Sequence, residues 1–166
     1  MKKLLIYLAI VAVLFAGLYA VNQSSGSSSD NPYGIKESDL NPSTRKQLND
    51  VHYQNIILPD EMKSYTASAD GVFVYFFSPQ CSFCVATTPL LMPLAAELGV
   101  EVRQYNLLEF NQGWTEYQIS HTPTLVYFEN GAKQQQIVGG MEVTAGDGGY
   151  TRDRVAAFLQ KDFTEN

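Results

Sequence analysis

The chain is poor in cysteine: its 166 residues contain two, Cys81 and Cys84, three positions apart. A pair so close cannot staple a small fold together, and it is too few for a four-thiolate metal site. Basic residues are scarce as well. Eleven Lys and Arg stand against 17 Asp and Glu, a formal net charge of −6. Without Lys2 and Lys3, which precede an apolar run, nine basic residues remain and the net falls to −8. No basic stripe is present, and an acidic surface repels phosphate backbones, so nucleic acid is not an expected partner. No internal repeat is visible. What is abundant is apolar matter: 45% hydrophobic residues, with ten Tyr and nine Phe, enough to fill a globular core. The length suits one compact domain plus an anchor.

The run Leu4 to Val21 carries no charge. As a helix it spans roughly 27 Å, close to the thickness of a hydrocarbon core. The basic pair before it, with none just after, places the N-terminus inside and the rest of the chain outside. Residues 1–21 therefore read as an N-terminal membrane anchor or a signal segment. Signal cleavage wants small residues two apart; Ala20 is one, but Leu18 stands where the other belongs. The run is also long for a signal-peptide core, so retention as a transmembrane helix through residues 4–21 is the expectation. No cysteine follows that could carry a lipid. Residues 22–38 open with Asn-Gln-Ser-Ser-Gly-Ser-Ser-Ser-Asp, a flexible, hydrophilic Ser-rich tether. Residues 39–166 form the globular domain. The expected location is the extracytoplasmic side of the cell membrane on a single-pass anchor. Disulfide chemistry is at home there, because no cytosolic thiol pool holds that compartment reduced.

Within the domain, Asn41-Pro42-Ser43 opens a short helix through about Tyr53, and Asn55 to Leu58 suits an edge strand. Pro59 with Asp60 and Glu61 fits a first helical turn. Val72 to Phe77, VFVYFF, is a continuous β-rich apolar run, as in a strand buried on both faces. A helix from about Ser82 to Leu98 stops at Gly99, and a kink or break is expected at Pro89. Val100 to Asn106 is a strand, Trp114 to Tyr117 a short helix, and Thr124 to Phe128 a strand. Asn130-Gly131 turns it back into Lys133 to Val138. A glycine-rich loop from Gly139 to Gly149 leads to a last helix, Thr151 to Phe163, with Val155, Phe158 and Leu159 facing the core. The order predicts an α/β fold with a central mixed sheet: a parallel crossover in the first half and a hairpin in the second.

Cys81-Ser82-Phe83-Cys84 lies where a buried strand meets a helix. A helix start has unpaired amide donors and partial positive charge, both of which favour a thiolate over a thiol. Cys81, at the mouth, is the candidate exposed nucleophile; Cys84, one turn further in, is the candidate shielded, resolving thiol. A purely structural disulfide closing so short a loop adds only about 2 kcal/mol, so scaffolding explains the pair poorly. His52 and His121 could complete a two-cysteine, two-histidine metal site, but their spacing matches no compact zinc pattern. No Lys, Arg or His lies between Ser78 and Val85, so thiolate stabilisation rests on the helix end.

Two segments carry a family resemblance. VFVYFFSPQCSFCVATTP is similar to the strand, active-site loop and kinked helix of the thioredoxin superfamily, with Pro89 five residues after the second cysteine. YQISHTPTLVYFENG resembles that family's stretch around its cis-proline, matched here by Pro123, and Gly139-Gly140 falls near the end of the family's last strand. The resemblance covers about Asn55 to Phe163. It implies a thioredoxin-like fold in which Pro123 packs opposite the cysteines. Thr122, Pro123 and the apolar Phe83 then become substrate contacts. It also exposes departures: Tyr75 stands at the position of the family's buried acid, Gln104 at that of its lysine, and Gln80 at that of its tryptophan. The tethered form with Ser-Pro-x-Cys resembles small exported thioredoxin-like proteins of Gram-positive bacteria, among them the bacteriocin transport accessory type.

The function implied is thiol–disulfide exchange on client proteins through Cys81 and Cys84, with the direction of electron flow open and no metal or organic cofactor required. A membrane redox partner would recycle the pair. The rival class is a non-catalytic binding module that uses Phe83 and the Thr122-Pro123 groove to hold peptides or partners in export or assembly.

Overall fold

The computed structural model describes residues 31–163. The apolar run at residues 4–21 and most of the serine-rich tether lie outside the described residues. Among the described residues, no helix is long and apolar enough to cross a membrane. The chain divides into two compact units between Asp39 and Leu40. In the first, the Asn31 side chain organises a turn: its Oδ1 accepts from the Tyr33 amide (3.0 Å) and its Nδ2 donates to the Ile35 carbonyl (2.8 Å). A 3-10 turn over Glu37–Asp39 follows.

The second unit carries α1 (Pro42–Arg45), α2 (Pro59–Thr66), β1 (Val72–Phe77), α3 (Ser82–Glu97), β2 (Val102–Asn106), α4 (Gly113–Glu116), β3 (Thr124–Glu129), β4 (Ala132–Val138) and α5 (Arg152–Leu159). The sheet order is β2-β1-β3-β4. β1 runs parallel to β2, with Phe73 opposite Val102, and antiparallel to β3, with Val74 opposite Val126. The hairpin β3–β4 closes on Asn130 and Gly131, both at positive φ (52° and 79°), the conformation that matches the twist of paired strands.

β1 is central, and its alternating side chains feed both faces. Val74 and Phe76 join Ile57, Met62, Tyr105, Val126 and Phe128 in a core on the α2 side. Phe73, Tyr75 and Phe77 point the other way, toward α3 and α5: Phe73 packs edge-on against Phe158 (5.7 Å), and Tyr75 hydrogen-bonds Thr88. Removing such side chains from water contributes about 1.5–3 kcal/mol each, which makes this six-residue run the anchor of the fold.

The element boundaries follow local chemistry. Asn41 Oδ1 caps α1 by accepting from the Ser43 amide (3.1 Å), and Thr151 Oγ1 caps α5 by accepting from the Arg154 amide (3.2 Å). α3 ends with Gly99 at φ 66°; the Val100 amide donates to Ala95 O (2.9 Å) and the Gly99 amide to Ala96 O (3.1 Å). α3 is not broken at Pro89: the helix runs through both prolines to Glu97. Val85, Pro89 and Pro93 share one exposed stripe, the side on which a helix tolerates carbonyls left without donors.

Two expectations need correction. The helix opened by Asn41 does not reach Tyr53; it stops at Arg45, and Asp50 restarts a 3-10 turn, Val51–Tyr53, by accepting from the His52 amide (2.9 Å). The edge segment at Asn55–Leu58 is one isolated bridge, Ile56 to Gln104, beside β2. Gln104 is fully buried and binds that segment: its Oε1 accepts from the Asn55 amide (3.2 Å) and its Nε2 donates to the His52 carbonyl (2.9 Å). The residue at the family's lysine position is thus an edge clamp.

Candidate active site

β1 ends at Phe77, and Ser78-Pro79-Gln80-Cys81 turns the chain into α3. The Cys81 amide donates to Ser78 O (3.0 Å) and the Gln80 amide to Ser78 Oγ (3.3 Å), with proline at the second turn position, where its fixed φ fits. This seats Cys81 as the N-cap of α3, outside the first helical turn. The helix then lifts Cys84 one turn inward. Both thiols are free, Cys81 half-buried and Cys84 fully buried.

The two sulfurs have opposite electrostatics. Partial burial pulls the Cys81 pKa up, but hydrogen bonds to its sulfur from the Cys84 amide, the Thr122 hydroxyl, the Cys84 thiol and the Phe83 amide outweigh it, and the net shift is downward. As a thiol, Cys81 donates instead to the Thr122 carbonyl (3.3 Å). Burial pushes Cys84 up to about 12; the Ser78 backbone opposes this and Cys81 adds to it. The exposed position with the lowered pKa thus falls to Cys81, and the buried position with the raised pKa to Cys84.

Thr122 and Pro123 reach the pair from the loop before β3, and the bond joining them is cis. Pro123 is buried and Thr122 half-buried. Phe83 is 69% exposed, an unusual state for a phenylalanine, and lines an open cavity of about 580 Å³ with Ser82, Thr122 and Pro123. The structure thus brings Cys81, Cys84, Phe83, Thr122 and Pro123 into one place.

It does not bring in the histidines. His121 is exposed, its Nδ1 3.0 Å from Ser120 Oγ, and its carbonyl accepts from Thr124 Oγ1 (2.8 Å). His52 pairs with Asp50 (2.8 Å). Among the described residues, no three of His, Cys, Asp and Glu gather as a metal site.

Sequence reasoning missed the groups behind Cys84. Thr88 Oγ1 donates to the Cys84 carbonyl (2.8 Å) and shares a hydrogen bond with the Tyr75 hydroxyl (3.3 Å). The Tyr53 hydroxyl also bonds Thr88. Burial drives the Tyr75 pKa well above its ordinary value, with Cys84 adding to the rise. The space behind the buried thiol thus holds neutral hydroxyls. One signal was available: Thr87 and Thr88 lie three and four residues after Cys84, on its face of the helix. Thr87 Oγ1 accepts from the Met141 amide (3.0 Å), tying the glycine-rich loop to α3.

This geometry agrees with what known proteins show. The thioredoxin family model matches residues 53–145, a span that includes Cys81, Cys84 and Pro123. A thioredoxin of Chlamydia pneumoniae is 36% identical over 85 residues, covering 51% of this chain and 82% of that protein. A chloroplastic M-type thioredoxin of Pisum sativum is 30% identical over 97 residues, covering 57% of this chain and 55% of that one. A thioredoxin domain-containing protein 5 homolog of Drosophila melanogaster is 26% identical, but the chain spans only 27% of its length. The solved thioredoxin of Malassezia sympodialis superposes with a TM-score of 0.53 at 22% identity, covering 64% of this chain and 88% of that one, which is a likeness of fold. A half-exposed sulfur at a helix mouth, a buried partner one turn on, a cis-proline facing them and a family match across all three make this chain a member of the thioredoxin family.

Proposed function

We propose that this protein is an extracytoplasmic thiol–disulfide oxidoreductase acting on client proteins through Cys81 and Cys84. The observation that carries the reading is the opposition of the two sulfurs: one half-exposed with its pKa lowered, the other buried with its pKa raised. The Cys81 thiolate attacks a client disulfide, forming a Cys81–client bond and releasing one client sulfur as a thiolate. Cys84 then attacks Cys81. The Cys81–Cys84 disulfide forms, the second client sulfur leaves, and the Cys84 proton passes to the departing thiolate. Two electrons move from the pair to the client; reversed, the same steps oxidise a client dithiol. Thr122 and Pro123 form the wall on which the client segment rests, and Phe83 provides an apolar contact beside it.

The uncharged run at residues 4–21 supports a retained membrane anchor, and Lys2 and Lys3 before it support an outward-facing domain. A membrane redox partner recycles the pair. Resemblance to the bacteriocin transport accessory type favours clients among exported proteins.

The test is insulin reduction by wild type and by Cys81→Ser. Wild type precipitates the insulin B chain and the variant does not; equal activity would sink the enzyme reading in favour of a binding module. Equilibration against glutathione mixtures then assigns direction. A potential near that of thioredoxin, about −270 mV, marks a reductant, and one well above it an oxidant or isomerase.

A further inference from the structure

The segment after β4 is a folded loop with its own internal bonds. Its ends are pinned: the Tyr150 amide donates to Gly140 O (2.8 Å) and the Glu142 amide to Tyr150 O (2.9 Å). Its interior is held by two carboxylates. Asp147 Oδ2 accepts from the Val143 and Thr144 amides (2.9 and 3.1 Å), Asp147 Oδ1 from the Gly149 amide (3.0 Å), and Glu142 Oε1 from the Gly146 amide (3.1 Å). Its base is fixed to the active-site helix through the bond from the Met141 amide to Thr87. The contact at Gly140 is so close that a Cβ there would stand 2.7 Å from Thr87 Oγ1.

Two consequences follow. First, the cavity beside Cys81 has a second wall: Val143, Asp147 and Gly148 line the same 580 Å³ space as Phe83, Thr122 and Pro123. Val143 is 64% exposed and Phe83 69%, so two large apolar side chains are left open to water on one groove. Second, the groove is electrically one-sided. Between Gln134 and Thr151 the chain has no Lys, Arg or His, and its only charges are Asp147, which lines the groove, and Glu142, the chain neighbour of Val143. Ser82, Phe83, Thr122 and Pro123 on the other side carry none.

We propose that the loop from Glu142 to Gly149 is the specificity wall for clients: Val143 and Phe83 hold an apolar side chain beside the client's cysteine, and Glu142 and Asp147 turn acidic flanks away. The occupant is an extended client segment with an apolar residue next to its reactive cysteine and a neutral or basic flank. The groove reaches Ser82, next to Cys81, and Thr122, whose carbonyl accepts from the Cys81 thiol (3.3 Å), and this nearness with the single sign of its charge selects that occupant over others. The proposal rests on the redox reading for its kinetic test but not for its binding test.

The test uses disulfide-bonded peptide pairs that differ only beside the cysteine (Leu or Ser) and in the flank (Lys or Glu), reduced by the full-length protein. Wild type favours Leu over Ser in kcat/KM by about tenfold, and Lys over Glu by about fivefold at low salt, a preference that fades in 0.5 M NaCl. In Val143→Ser the Leu preference falls to near one; in Val143→Leu it persists. The same peptides with serine in place of cysteine, followed by fluorescence anisotropy, give the same ranking of affinities. If wild type ranks the peptides alike, or Val143→Ser keeps the full Leu preference, the proposal is overturned. If the serine peptides are ranked as expected while wild type reduces no disulfide at all, the wall stands and the redox reading falls. A dimer lost in Val143→Ser on sedimentation would assign the groove to a second copy and also overturn the proposal.

Discussion

The two sides of the first turn of α3 are three residues apart in sequence and opposed in chemistry. On the outer side, Cys81 meets amide donors, a threonine hydroxyl and solvent. On the inner side, Cys84 sits at 0% exposure with Tyr75 and Thr88 packed nearby. One helical turn is enough to pull two thiol pKa values in opposite directions, because the helix end supplies donors in one direction only and the sheet excludes water in the other. The contrast teaches that the reactive pair is made by the depth of its two positions rather than by the residues between them.

The largest expected effect breaks the contrast outright. Cys84→Ser keeps the attacking sulfur but cannot resolve the adduct, so a covalent client complex accumulates on non-reducing gels. Cys81→Ser forms none, and its turnover drops by about three orders of magnitude or more. Equal adduct yields from the two variants would show that depth does not set the roles.

Alkylation kinetics sharpen the comparison. The thiolate is the reactive form, so the Cys81 rate rises with pH and levels off once pH passes its folded pKa. That pKa is lowered, so the midpoint of the rise falls at a lower pH than for a free cysteine. At pH 7, iodoacetamide labels Cys81 at least about 100-fold faster than Cys84, as read by peptide mass spectrometry.

Stability should follow with the matching sign. The raised pKa of Cys84 stabilises the reduced fold fully below the unfolded value, and this contribution is lost as pH rises toward about 12, because the unfolded chain ionises first. Cys81 acts oppositely: its contribution is complete above the unfolded value and is lost as pH falls through its lowered folded value. Between about pH 8.5 and 10, reduced wild type therefore loses about 2 kcal/mol relative to Cys84→Ala in urea unfolding.

The smallest effect probes the hydroxyls behind the buried thiol. Thr88→Val leaves the Tyr75 and Tyr53 hydroxyls without their shared partner and costs about 1–2 kcal/mol in urea unfolding. The pH profile of Cys81 alkylation stays where it was. A profile that moved would mean that the two sides are coupled.

Much of this was legible from residues alone, for specific reasons. VFVYFF can be little other than a strand buried on both faces, and Asn130-Gly131 between two strand-like runs forces a hairpin. The helix predicted from Asn41 to Tyr53 failed because the start signal was real and the continuation was not. The buried Thr44 is engaged by Asn106 (3.3 Å), and Asp50 provides a second cap. The break that was one of the two outcomes expected at Pro89 did not form, and the exposure of its stripe, which spacing alone does not reveal, is the reason. Gln104 was read through a family position, but its bonds run to Asn55 and His52, about fifty residues earlier in the chain.

From the order of its residues the chain already specified the pair, its place at a strand-to-helix junction and the succession of strands and helices along the chain, because these depend on local periodicity and turn chemistry. Only the folded chain decided that Tyr75 would share a hydrogen bond with Thr88 behind Cys84, and that Val143 would line one groove with Phe83. Each joins segments 13 to 60 residues apart, and such meetings are set by how sheet and helices pack, which no local pattern encodes.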